Sequence, residues 1–181
     1  MSDNSLIILS DLWGTDNASW ISYYTKPLKS IFDIRLYDCR KLAGIDANIN
    51  QENIIHTQFL EGGIEKAVIN LLKEENDEII ALGFSIGGLI AWRAALAGLK
   101  IKYMCLLSSS RLRYETEMPN CSMDLYYAEF DDFQPSGDWF QAHEIKRNII
   151  KNEKHEFYRK NKFAKTICDN ISAKQVKAQA D

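Results

Sequence analysis

Residues 83–87 read Gly83-Phe84-Ser85-Ile86-Gly87, a serine with a glycine two positions away on either side. An apolar run ending at Phe84 leads into it, and an apolar stretch from Ile86 leads out. At such a strand-to-helix junction a serine sits on a strained turn that lifts its hydroxyl above the sheet, and small residues keep strand and helix from colliding. The helix that follows adds its dipole and a free amide at Ile86. A hydroxyl is a weak nucleophile alone, so this chemistry requires a base. The chain offers three histidines, His56, His143 and His155. Its four cysteines, Cys39, Cys105, Cys121 and Cys168, have neither CxxC pairing nor metal-ligand spacing, which fits reduced thiols.

The elements that must position the serine alternate along the chain. Leu6 to Leu9 is a short, continuous apolar run, as a strand buried on both faces requires. Asp16-Asn17 offers an N-cap for a helix over 18–31, which Pro27 breaks or kinks. Residues 32–37 read as a strand, 38–50 as a polar loop, and 51–75 as a helix that Gly62-Gly63 can split. Strands follow over 78–84, 101–107, 124–130 and 144–150. Helices are expected over 86–99, around Trp139, and from His155 to about Ser172, with a frayed tail to Asp181. This alternation implies βαβ units, right-handed crossovers and a parallel sheet. Ligands in such sheets sit at the carboxyl ends of the strands, so the chemistry belongs in the loops that follow them.

With the serine turn placed in this frame, the chain resembles the α/β-hydrolases over nearly its full length. That resemblance implies a triad in the order nucleophile, acid, histidine. Tyr127 to Pro135 is similar to the family's acid turn, Gly-x-x-Asp followed four residues later by Pro, with Ala128 in the glycine's place. It implies Asp131 as the acid, with Asp132 as the rival one residue away. His155, in a polar stretch after the last strand, stands where the family places its base. His143 precedes that strand, and His56 precedes the serine in the chain. In the same way Asp11-Leu12-Trp13-Gly14 resembles the H-G-W-G segment of the pimeloyl-carrier-protein methyl ester esterases. By that match the Trp13 amide would join that of Ile86 in an oxyanion hole. Asp11 replaces the family's His and Leu12 its Gly. Leu12 then requires a negative φ, and the Asp11 carboxylate must point away or be neutralised.

The family often carries a helical lid between the strands over 101–107 and 124–130, and Ser108 to Met123 is too short for one. No counterpart of the family's first two antiparallel strands precedes Leu6. The expected architecture is one α/β-hydrolase domain over residues 1–181. It has a reduced, mostly parallel sheet of about six strands, helices on both faces and no cap domain. The expected activity is a serine hydrolase acting on a carboxylic ester or thioester through Ser85, Asp131 and His155, with neither metal nor organic cofactor. The alternative is a catalytically silent hydrolase-fold protein that binds.

An open cleft suits long or carrier-borne acyl groups better than a small enclosed substrate. Arg111 and Arg113 leave a strand's carboxyl end and could recognise an anionic acyl end or a phosphopantetheine arm, unless they pair with Glu115 and Glu117. Residues 144–181 hold ten Lys and Arg against five Asp and Glu, while the rest of the chain is acidic. A basic segment near His155 makes an acidic acyl-carrier protein an expected partner. The net charge of −3 argues against nucleic acid. No apolar run reaches the ~20 residues of a membrane span, and the polar start lacks a secretory pattern, so a cytoplasmic location is expected. With 46% hydrophobic and 26% charged residues, the chain can bury a core without disulfide or metal staples.

Overall fold

A computed structural model describes residues 4–178. Six strands form one sheet in the order β2-β1-β3-β4-β5-β6, every neighbouring pair parallel. They are β1 Ser5–Leu9, β2 Asp33–Tyr37, β3 Ile79–Phe84, β4 Ile101–Leu107, β5 Ser122–Phe130 and β6 Arg147–Lys154. The strands at the centre, β1, β3 and β4, are the apolar runs, because helices cover both their faces. On one face α1 (Ser22–Leu28) packs with α7 (Asn161–Ala178) over Leu6, Ile8 and Leu82. On the other, α2 (Cys39–Ala43), α3 (Glu52–Gln58), α4 (Ile64–Glu74), α5 (Ile86–Leu96) and α6 (Gly137–Ala142) cover Ile7, Leu9 and Ala81.

Local differences from the sequence expectation have physical causes. The segment 38–50 is not all loop. Asp38 caps α2 by accepting from the Lys41 amide at 3.0 Å, and Gly44, at φ 70°, ends it after five residues. So short a helix leaves no periodic pattern to read. The first helical stretch opens as a 3₁₀ turn over Ser19–Ile21, with no side-chain cap from Asp16 or Asn17. Residues 59–63 interrupt the third helical stretch, and Gly62 adopts φ 104°. The last strand lies later than expected and runs to Lys154. It is an edge strand with much of its length exposed, which is why its second half is polar. Helix α7 extends past Ser172 to Ala178. The expected fraying at 179–181 lies outside the described residues.

Between β4 and β5 stand 14 residues, 108–121, holding one 3₁₀ turn, Leu112–Tyr114. The carboxyl edge of the sheet therefore carries no lid. Among the described residues no helix is long and apolar enough to cross a membrane.

Under that edge an aromatic cluster joins α1 to the chain after β6. Phe84 lies 4.7 Å from Trp20, 4.8 Å from Tyr24 and 5.3 Å from Tyr158, centroid to centroid. The Tyr24 hydroxyl donates to the Tyr158 carbonyl at 2.7 Å. Because Phe84 is fully buried between these rings, Phe84→Ala should lower the unfolding free energy by about 3–5 kcal/mol. Urea denaturation measures it, and a loss under about 1 kcal/mol would mean that the cluster closes over the gap.

Candidate active site

The turn after β3 has the geometry that its glycines allow. Ser85 adopts φ 49° and ψ −116°, a strained conformation for a residue with a side chain. Its amide donates to the Leu107 carbonyl at 2.9 Å, which ties the turn to β4. A Cβ on Gly83 would stand 2.6 Å from the Gly88 Cα, and one on Gly87 2.4 Å from the Ser10 carbonyl oxygen. Neither position has room for a side chain. As the first residue of α5, Ile86 has an amide with no intrahelical acceptor.

Three loop ends bring the sequence candidates together. His155 Nε2 lies 3.0 Å from Ser85 Oγ. His155 Nδ1 lies 3.0 Å from both Asp131 carboxylate oxygens. Asp131 is buried and also accepts from the Phe133 amide at 2.9 Å, while Asp132, the rival, is exposed. The bond to Asp131 places a proton on Nδ1 and leaves Nε2 free to accept one from Ser85. The imidazole is held from behind as well. Ser108, itself at φ 47°, donates from Oγ to the His155 carbonyl at 2.6 Å, and the Phe133 ring stands edge-on to the imidazole at 5.4 Å. His143 is elsewhere, stacked on Trp139 at 4.2 Å.

The loop after β1 departs from expectation. The Trp13 amide is not free for an oxyanion: it donates to Asp11 Oδ1 at 3.0 Å. A carboxylate two residues upstream captures it in an Asx-type turn, an option the family's histidine does not offer. Asp11 is buried, and its other oxygen accepts from Arg159 Nη2 at 2.6 Å and from the Tyr158 hydroxyl at 3.1 Å. The charge is thus neutralised, as its position demanded. Burial pushes the Tyr158 phenol well above its ordinary range, and the Asp11 charge adds to this. Arg159 is held above its usual value because Asp11 outweighs the opposing effect of burial. Leu12 does not adopt a positive φ.

Ser85, Ile86 and His155 line a cavity of about 160 Å³ that also includes Leu12, Arg111 and Arg113. The pairing of these arginines with Glu115 and Glu117 does not form. Glu115 is taken by Arg93, at 2.8 Å. Arg113 instead donates to the Phe133 carbonyl at 2.8 Å and lies 4.5 Å above the Tyr114 ring, and Arg111 stacks on the same ring at 4.9 Å. His56 and Glu52, which sequence order set aside or did not single out, line the cavity too, from α3. Nothing in their spacing pointed to this. Among the described residues no cluster of three or more His, Cys, Asp or Glu could hold a metal ion.

Comparison with solved structures gives the fold its name. A protein from Xanthomonas campestris described as a hydrolase of the alpha/beta superfamily aligns over 96% of this chain and 99% of its own, with a TM-score of 0.71 and 15% identity. An alpha-beta serine hydrolase homologue from Coxiella burnetii aligns over 93% and 85%, with a TM-score of 0.61 and 16% identity. An α/β serine hydrolase without lid, also from Xanthomonas campestris, aligns over 92% and 82%, with a TM-score of 0.57 and 14% identity. The chain has the α/β-hydrolase fold in a lidless form. No family model matches it. No curated protein matches it either. The finer resemblance to the pimeloyl-carrier-protein esterases rests on residues 11–14 alone.

The Asp11–Arg159 pair makes a direct prediction. Asp11→Asn keeps an oxygen for the Trp13 amide but removes the charge facing Arg159. The unfolding free energy should fall by roughly 1–2 kcal/mol, since the guanidinium loses its buried ionic partner and keeps only the exposed Glu156, at 2.8 Å. An unchanged urea midpoint would show that the pair contributes nothing.

Proposed function

We propose that this protein is a serine hydrolase that cleaves a carboxylic ester or thioester through Ser85, His155 and Asp131. The observation that carries the reading is the continuous chain from Ser85 Oγ through His155 to Asp131, each link 3.0 Å long. His155 Nε2 takes the hydroxyl proton as Ser85 Oγ bonds to the acyl carbon. The imidazolium that forms is stabilised by the Asp131 carboxylate. Collapse of the tetrahedral intermediate breaks the bond to the alcohol or thiol, which leaves with the proton from Nε2. Water, activated by the same nitrogen, then frees the acyl group from Ser85. The Ile86 amide holds the developing oxyanion. With the Trp13 amide engaged, Leu12 is the remaining candidate on the first loop. It lines the cavity, and its amide has no acceptor among the described residues.

The substrate reading follows from Arg111 and Arg113. Both line the cavity, and neither has a carboxylate partner among the described residues. They suit an acyl group with an anionic end, or a phosphopantetheine arm, and the basic segment after residue 143 suits an acidic acyl-carrier protein. One observation favours the alternative of a silent binding protein: the capture of the Trp13 amide by Asp11. A fluorophosphonate probe separates the two, since labelling requires an activated serine.

Hydrolysis of p-nitrophenyl esters of graded chain length should be measured for the wild type beside Ser85→Ala, His155→Ala and Asp131→Asn. Each substitution should reduce kcat by roughly 10⁴-fold or more. A wild type that neither turns over any ester nor labels at Ser85 would leave the binding protein as the correct reading. Reversing both arginines, Arg111→Glu with Arg113→Glu, should raise KM for a p-nitrophenyl hemisuccinate by about tenfold or more and leave the neutral butyrate nearly unaffected. Equal effects on both esters would remove the anionic-substrate assignment.

A further inference from the structure

Next to the Ser85 cavity lies a second one, of about 290 Å³, walled by the loops after β1 and β2. The two share Asp11, Trp13 and Arg159, but none of Ser85, His155 and Asp131 lines the second. Its size is at the lower end of small-molecule pockets, which run from roughly 300 to 1,000 Å³.

The wall contains a cation without a counter-charge. Arg40, on α2, is 7% exposed. Its Nη2 donates to the carbonyls of Asp46 and Ile49, its Nε is buried without a partner, and its Nη1 makes no hydrogen bond among the described residues. The carboxylates of the same wall are committed elsewhere. Asp11 pairs with Arg159 at 2.6 Å, and Asp16 with Lys41 at 3.3 Å. Asp38 accepts from the Thr15 amide at 2.7 Å, the Thr15 hydroxyl at 2.9 Å and the Lys41 amide. Burial opposes the Asp38 charge, but these bonds outweigh it and hold the carboxyl below its usual range. Asp38 is therefore ionised, and its charge is spent on Thr15 and the start of α2.

A buried guanidinium met only by carbonyl oxygens is costly unless an anion completes it. We propose that this cavity binds a small organic anion whose carboxylate or phosphate pairs with Arg40, with Lys41 at the rim. The guanidinium plane matches either oxyanion, and Ile45 and Ala47 offer apolar contact to the rest of the molecule. The anion is a free ligand: Arg111 and Arg113, which line the Ser85 cavity and not this one, are the groups that face the acyl end of an ester there.

Isothermal titration calorimetry on the full chain, with inorganic phosphate and separately with succinate at fixed ionic strength, tests the site. Saturable one-site binding of at least one of them is expected. Ser85→Ala should bind as the wild type does, because Ser85 is not part of the wall. Arg40→Met should weaken binding at least about tenfold. That substitution also releases two carbonyls and can fail to fold, so Lys41→Glu at the exposed rim is the second variant, expected to weaken binding several-fold while staying folded, because the pair it breaks with Asp16 is exposed. No saturable binding of either anion, or wild-type affinity in Lys41→Glu and in any folded Arg40→Met, overturns the site. So does loss of binding in Ser85→Ala, which would put the anion in the neighbouring cavity. Unchanged KM for p-nitrophenyl hemisuccinate and butyrate in the presence of the bound anion is expected of a separate site; competition against hemisuccinate would put the anion with Arg111 and Arg113 in the Ser85 cavity and overturn it. Calorimetry needs no turnover, so failure of the hydrolase reading and failure of this site are distinguishable.

Discussion

The site depends on how closely α5 can approach the sheet. Ser85 stands at φ 49° because the chain must reverse from β3 into α5 within a single residue. That reversal is possible only where Gly83 faces Gly88 and Gly87 faces the Ser10 carbonyl, contacts that any side chain would break. The close approach has two consequences at once. It aims the Ser85 hydroxyl over the sheet edge, and it sets the Ile86 amide beside it at the start of a helix, where the dipole favours negative charge. The strain is held from outside by the hydrogen bond that the Ser85 amide donates to the Leu107 carbonyl and by the buried aromatic cluster around Phe84. The nucleophile's geometry is thus a property of packing, which is why its neighbours are glycines and large apolar residues.

A second constraint joins loops far apart in sequence. Asp11 follows β1 and Arg159 follows β6, yet they form a buried pair at 2.6 Å, with the Tyr158 hydroxyl on the same carboxylate oxygen. His155 stands only three residues before Tyr158, so the loop that would face an oxyanion and the segment that carries the base are tied to one another. A negative charge close to a nascent oxyanion would oppose reaction; here it is answered by a guanidinium and given a structural task. The cost is the Trp13 amide, which the same carboxylate withdraws.

Much of this was legible from the sequence because it rests on short-range patterns. Three apolar runs marked the central strands and the Gly-x-Ser-x-Gly spacing marked the turn; the order along the chain put Asp131 just after β5 and His155 just after β6, with two strands in the first gap and one in the second. What was not legible was chemistry between segments far apart in sequence. Nothing in residues 11–14 shows that Arg159 will neutralise Asp11, so the role of the Trp13 amide came out wrongly. Arg111 and Arg113 had acidic neighbours in sequence, but Arg93 reaches Glu115 from another helix. The second half of β6 was missed because an edge strand needs no apolar face, and its bend at Asn152, φ 58°, is fixed by Glu129 on the adjoining strand. α2 was missed because five residues between an aspartate cap and a glycine stop hold too little periodicity.

The distribution of arginine over the sheet edge completes the physical picture. A lidless site leaves its contents open to water, so apolar enclosure supplies little of the binding free energy. For the proposed anionic substrate, charge is the remaining means of selection, and it is effective only where water is partly excluded. The structure meets that condition with aromatic rings rather than a lid. The Arg111 and Arg113 guanidinium carbons lie 4.9 and 4.5 Å from the centre of the Tyr114 ring, that of Arg113 also 5.7 Å from Phe133, and that of Arg159 5.9 Å from Trp20. Stacking fixes a guanidinium plane and shields one face from solvent while leaving its edge donors available. An oxyanion arriving at that edge meets a donor already oriented, with little side-chain entropy left to lose. On the proposed reading, the arginines do for recognition what a cap domain would do for enclosure.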